Sequence, residues 1–152
     1  MPEHHRMRNV TISDAGNIDP SRLAEIRVEA MRPSLEAIGR FDPERARARF
    51  LDTYSARETY ILRAGGDLAG FYVLRERPDH LYLDHIYICP AHQGAGLGRG
   101  IVRRVQDQAR GAGLPVRLMA LRGSPAQDFY AACGFVPEWS DDLDTHYLWV
   151  PA

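Results

Sequence analysis

The sequence predicts a mixed α+β domain, with a central, mostly antiparallel sheet of about seven strands flanked by about four helices. Three observations lead there. The apolar patterns run in the order strand, two helices, three strands, helix, strand, helix, two strands. The runs Thr59–Ala64 and Leu68–Arg75 stand on either side of Gly65-Gly66-Asp67, a strong hairpin signal. The apolar, β-branched run Leu81–Ile88 stops at Pro90, crosses a glycine-dense loop and enters a helical pattern from Leu97 to Ala112.

The remaining elements follow in order. Val10–Ile12 reads as a short first strand. Asp19 or Ser21 caps a helix from Pro20 to about Met31, with Leu23, Ile26 and Ala30 on one face, and Pro33 and Gly39 interrupt the pattern. Asp42-Pro43-Glu44 opens a second helix through Leu51, whose Arg45, Arg47 and Arg49 read as a solvated face. Arg77-Pro78-Asp79-His80 turns the chain into the Leu81–Ile88 strand. Gly111-Ala112-Gly113 ends the long helix, and Val116–Leu121 gives the next strand. Ser124-Pro125, with Ser as cap and Pro in the first turn, starts a helix that leads to Cys133 and stops at Gly134. Val136–Trp139 and His146–Val150 are closing strands, joined by the acidic loop Ser140–Asp144. No repeat or linker divides the chain, so residues 1–152 are expected to form a single domain with residues 1–7 a loose N-terminus.

Composition narrows the function classes. A length of 152 residues with 45% hydrophobic content suffices for a real core. The net charge of −1 offers no general basic field for nucleic acid or an anionic membrane. No apolar run is long enough to span a bilayer, the start has no signal-peptide pattern, and Cys89 and Cys133 form no framework or metal-ligand cluster. A cytoplasmic location, no metal, no nucleic-acid partner and no membrane partner are the expectations. The His4-His5 pair reads as part of the loose terminus. All 19 basic residues are Arg, so the chain carries no side-chain amine of its own.

The stretch Ile86–Gly100 has the form of an anion site. Gly94, Gly96, Gly98 and Gly100 let the main chain approach a ligand closely, and the first helical N–H groups lack internal partners. The helix dipole adds roughly half a positive charge there, so a phosphate is the natural guest. A P-loop is excluded because no Lys-Ser/Thr pair follows. The dinucleotide fingerprint fails because Arg99 stands where a third glycine is needed.

Gln93-Gly94-Ala95-Gly96-Leu97-Gly98 resembles the Q/R-x-x-G-x-G/A signature of the GNAT superfamily of acetyl-CoA-dependent N-acetyltransferases. Phe129-Tyr130-Ala131-Ala132-Cys133-Gly134-Phe135 resembles the F-Y-x-x-x-G-F segment on the last helix of that family. The two motifs and the element order cover about residues 8–150. One departure is Gly123, followed by Ser124-Pro125, where many relatives carry Asn; the contact of that Asn falls to Ser124 or is missing.

The resemblance implies an N-acetyltransferase that moves acetyl from acetyl-CoA directly to a primary amine of a small molecule or peptide through a ternary complex. A catalytically weak CoA-binding sensor or scaffold of the same fold is the alternative, and a homodimer is left open. It assigns the donor's pyrophosphate to the amides around Gln93, Gly94, Gly96, Leu97, Gly98 and Arg99. Arg99 either adds a charge-assisted contact or is a solvated first-turn residue. The main chains of Ile86 and Ile88 are expected to pair with the pantetheine arm, with the Ile86 N–H polarising the thioester carbonyl. Tyr130 is expected to protonate the leaving thiolate.

Period-two alternation puts Tyr82, Asp84, Ile86 and Ile88 on one face and Leu81, Leu83, His85 and Tyr87 on the other. In related enzymes the group that helps deprotonate the amine lies on the face of Tyr82 and Asp84. Asp84 is therefore expected to act through a water or to hold the ammonium; a pair with a neighbouring Arg is the alternative. His85 reads as a packed, hydrogen-bonded residue, and Cys133 as a structural one. Met31–Phe41 and Ser140–Asp144 fall in regions that shape the acceptor site in similar proteins. The carboxylates Glu36, Asp141, Asp142 and Asp144 either attract a cationic amine or are simply solvated.

Overall fold

The computed structural model describes residues 9–152, so His4, His5 and the expected loose terminus lie outside the described residues. Seven strands form one sheet in the order β1-β2-β3-β4-β5-β7-β6. They are β1 Val10–Asp14, β2 Thr59–Ala64, β3 Asp67–Glu76, β4 Leu81–Ile88, β5 Val116–Leu121, β6 Val136–Ser140 and β7 Asp144–Trp149. Four α-helices accompany them among the described residues: α1 Pro20–Ala37, α2 Pro43–Leu51, α3 Leu97–Ala112 and α4 Pro125–Ala132. The pairs β1–β2, β2–β3, β5–β7 and β6–β7 are antiparallel and β4–β5 is parallel, which is the mixed α+β architecture expected. The described chain divides into two compact units, residues 9–73 with His85–Gly98, and Leu74–Asp84 with Arg99–Ala152.

In the first unit, α1 and α2 start on aspartate caps. Asp19 accepts from the Ser21 N–H at 3.0 Å, and Asp42 accepts from the N–H groups of Glu44 and Arg45 at 3.1 and 3.2 Å. Helix α1 does not stop near Met31. It continues through Pro33 to Ala37. Pro33 removes one N–H and crowds the carbonyl of Glu29, but this stretch is exposed, so water can serve the freed carbonyl. Arg32 lies 3.5 Å from Glu29 and 3.7 Å from Glu36, bracing the helix across the proline, and stacks 4.8 Å over the Phe41 ring.

The core of this unit gathers Ala15, Leu23, Ala24, Phe50, Ile61, Phe71 and Val73. Phe50 stands edge-on to Phe71 at 5.3 Å and to His85 at 5.5 Å, so Phe50→Ala should cost about 3–5 kcal/mol. Buried Arg27 donates from Nη1 to the Ala46 carbonyl at 2.7 Å and from Nε to the Tyr87 hydroxyl at 3.1 Å, tying α1 to α2 and to β4. That hydroxyl also lies 3.1 Å from His85 Nδ1, so His85 is a packed, hydrogen-bonded histidine.

In the second unit, α3 buries Ile101, Val102, Val105 and Ala109 along one stripe. Buried Gln106 reaches from that helix to donate to the Cys133 carbonyl at 2.9 Å. β5 and β7 pair along their whole length, from Val116 with Trp149 to Leu121 with Asp144. Ser140 ends β6 and Asp144 begins β7, so the acidic loop is shorter than expected. The Asp141 carboxylate accepts from the N–H groups of Leu143 and Asp144 at 2.9 and 2.7 Å and closes the turn.

Ser124 holds the N-cap position of α4 but makes no capping bond. Its Oγ donates backwards to the Leu121 carbonyl at 2.7 Å instead, and the Gln127 side chain takes the Gly123 N–H at 2.5 Å. Helix α4 closes at Ala132, with the Cys133 N–H returning to the carbonyls of Phe129 and Tyr130.

Candidate active site

The end of β4 and the loop after it belong to the first unit. β3 carries an extra residue at Ala69, between the pairs Leu62↔Gly70 and Arg63↔Leu68, and the Ala69 carbonyl accepts from the Cys89 N–H at 2.8 Å. Beside it Gly70 allows a close backbone approach. A Cβ there would meet the Tyr87 carbonyl oxygen at 2.3 Å and Ile88 Cα at 3.2 Å. Ile86 and Ile88 are half-buried on the face predicted for them. Burial pushes the Cys89 thiol above its ordinary value, against the opposing pull of Arg22.

After the single turn Pro90–His92, the chain passes Gly94 and Gly96 at φ 82° and 81°, a region that side chains rarely adopt. Helix α3 then begins at Leu97. Gln93 is committed to the loop itself, its Nε2 donating to the Ile88 carbonyl at 3.0 Å. Leu97 is buried, so only its main chain can address a ligand, whereas Arg99 is exposed. The sequence predicted this strand, glycine loop and helix start, and the structure brings them together in that order.

The second unit holds the expected side-chain chemistry. Asp84 lies on β4 with its side chain 20% exposed, and its Oδ2 accepts from Arg75 Nε at 2.8 Å. Asp84 thus has the arginine partner given above as its alternative role, and that partner is Arg75, in the sequence only the end of an apolar run. Tyr130 is 6% exposed, among Phe129, Phe135 and Tyr147 with ring centroids at 5.2, 5.8 and 6.3 Å. A cavity of about 200 Å³ is lined by Arg99, Val102, Arg103, Gln106, Ala132 and Cys133, which brings two guanidinium groups into its wall. The parallel ladder between β4 and β5 comprises Leu81↔Val116 and Tyr82↔Arg117, although β4 runs on to Ile88 and β5 to Leu121. Among the described residues no group of three or more His, Cys, Asp or Glu side chains could hold a metal ion, and no helix is long and apolar enough to cross a membrane.

The sheet is thus a mixed, seven-stranded one with a short parallel ladder between β4 and β5, and a glycine loop enters a helix after β4. The profile of the acetyltransferase (GNAT) family matches residues 22–135, and the chain belongs to that family. Solved structures agree on the fold. The chain is similar to the PaiA N-acetyltransferase of Thermoplasma acidophilum in complex with coenzyme A, at 18% identity over 93% of this chain and 98% of that one, with a TM-score of 0.76. It is similar to the ribosomal-protein-S18-alanine N-acetyltransferase of Escherichia coli at 19% identity over 94% of each chain, with a TM-score of 0.67. Ard1 of Thermoplasma volcanium matches at 16% identity over 95% of this chain and 99% of that one, with a TM-score of 0.65. No curated protein matches the chain.

Proposed function

We propose that this protein is an N-acetyltransferase that transfers acetyl from acetyl-CoA directly to a primary amine of a small molecule or peptide through a ternary complex. The observation that carries the reading is the end of β4: its ladder with β5 stops after Tyr82, and the strand then runs into the glycine loop. A donor laid along such a strand can pair with main-chain groups of Ile86 and Ile88 without demanding particular side chains. The coenzyme A bound to the Thermoplasma acidophilum relative supports the same donor here.

In this reading the amides of Gly94, Gly96, Leu97, Gly98 and Arg99 hold the diphosphate, whereas the Gln93 N–H already donates to the Pro90 carbonyl at 3.3 Å and Gln93 shapes the loop. The Ile86 N–H stabilises the oxyanion that forms when the amine attacks the thioester carbon. The Ser124 hydroxyl donates its hydrogen bond to the Leu121 carbonyl, so toward acetyl-CoA it can only accept one. Asp84 holds the ammonium or takes its proton through a water. As the carbon–sulfur bond breaks, Tyr130 gives its phenolic proton to the thiolate, the phenolate takes back the proton that the new amide nitrogen sheds, and free coenzyme A and the amide leave. Release of coenzyme A thiol, followed with acetyl-CoA and a panel of primary amines, tests this. Amine-dependent release supports it; tight donor binding with no release for any amine would leave a sensor or scaffold module.

A further inference from the structure

Arg75 is a buried cation to which the reaction above gives no part. It lies near the end of β3, 7% exposed, and its Nε reaches Oδ2 of Asp84 on β4. Both residues belong to the second unit, and Asp84 follows just after the last β4–β5 ladder pair. An aspartate inside a strand is disfavoured, and a charge pair drawn this far from water gains little over apolar residues of equal volume. What the pair does achieve is geometric. A charge-assisted N–H on one oxygen fixes the rotation of the carboxylate, and a planar guanidinium fixes it better than the point charge of an ammonium.

We propose that Arg75 is a positioning residue for acceptor turnover: by holding Oδ2 of Asp84 it fixes the carboxylate that receives the acceptor's ammonium. The inference rests on the amine-acceptor reading above. Arg75 acts through Asp84 and does not itself meet the substrate. A carboxylate held in one orientation selects a cationic amine by direction as well as by charge, and misplacement of such a group lowers turnover without loosening the donor.

The test is initial-rate kinetics on the full chain with acetyl-CoA and whichever of benzylamine, 1,4-diaminobutane and alaninamide the unaltered protein acetylates fastest. Arg75→Gln should lower kcat/KM for the amine about 10- to 100-fold while KM for acetyl-CoA stays within about twofold. Arg75→Lys should recover part of that loss. The double variant Arg75→Gln with Asp84→Asn should be no slower than Asp84→Asn alone, because the two residues act as one unit. The double variant also removes the stranded charge, so it keeps the test valid if Arg75→Gln folds poorly. Unchanged amine kinetics in Arg75→Gln, a loss confined to donor KM and thermal stability, or losses that multiply with those of Asp84→Asn would each overturn the proposal. If none of the three amines releases thiol from the unaltered protein, the acceptor reading falls and the inference falls with it.

Discussion

The α-carbon of Gly70 faces the Tyr87 carbonyl so closely that an added Cβ would stand 2.3 Å from the oxygen. Two backbones meet there without room for a side chain, immediately before the loop that leads to Gly94. Gly70→Ala must displace the β4 main chain around Tyr87 and Ile88. It should lower stability by about 1–3 kcal/mol, read as a fall in Tm, and weaken acetyl-CoA binding in a calorimetric titration of the folded variant. An alanine variant with unaltered Tm and donor affinity would show that β4 has slack the geometry denies.

Tyr130 gives a prediction about rate. With its ring packed among Phe129, Phe135 and Tyr147, Tyr130→Phe leaves that packing in place and removes only the hydroxyl. The rate of thiol release should fall by roughly 100-fold with little change in acetyl-CoA affinity. A variant that keeps its rate would remove Tyr130 from the chemistry.

Arg99 and Arg103 place two guanidinium groups in the wall of one cavity. A donor carrying the ribose 3′-phosphate should therefore bind more tightly than acetyl-dephospho-CoA. One charge-assisted contact of about 1.5–3 kcal/mol corresponds to a preference of roughly tenfold or more. Arg103→Gln should erase most of that preference, as should high salt. Equal affinities for the two donors in the unaltered protein would refute it.

The β6–β7 turn sets a pH dependence. The N–H groups of Asp144 and Leu143 hold the Asp141 carboxyl below its ordinary value, with His146 a weaker influence in the same direction. Its folded value lies below the unfolded one, so its contribution to stability is present above the usual carboxylate range. It is lost as pH falls through the depressed value. Asp141→Asn should flatten the acid side of a Tm-against-pH curve, and an unchanged acid limb would show that the turn closes without that charge.

Much of this molecule is legible in its sequence, for reasons that can be located. Gly65-Gly66, the Asp42-Pro43 start and the run from Ile86 to Gly100 each carry backbone chemistry that one short segment determines, and the structure places a hairpin, a helix and a glycine loop there. What sequence hides is partnership across strands. Arg75 stands in the sequence only as the end of the run from Leu68, and the structure shows it buried on Asp84. Gly70 lies unmarked inside the run Leu68–Arg75, and its need to be glycine shows only once the Tyr87 carbonyl is placed against it. The short β4–β5 ladder has no signature either, because side-chain alternation reports faces and not how far two strands stay paired. Ser124 has the residue type of a cap, and its hydroxyl chooses the carbonyl behind it.

If main-chain groups along β4 and the glycine loop hold acetyl-CoA, titration calorimetry of the folded protein with that donor should give saturable 1:1 binding. Replacing Gly96 by Val should weaken it, since a β-branched residue is strained at the φ of 81° found there. The absence of any saturable heat in folded protein, or binding that ignores the Gly96→Val change, would contradict this mode of donor binding.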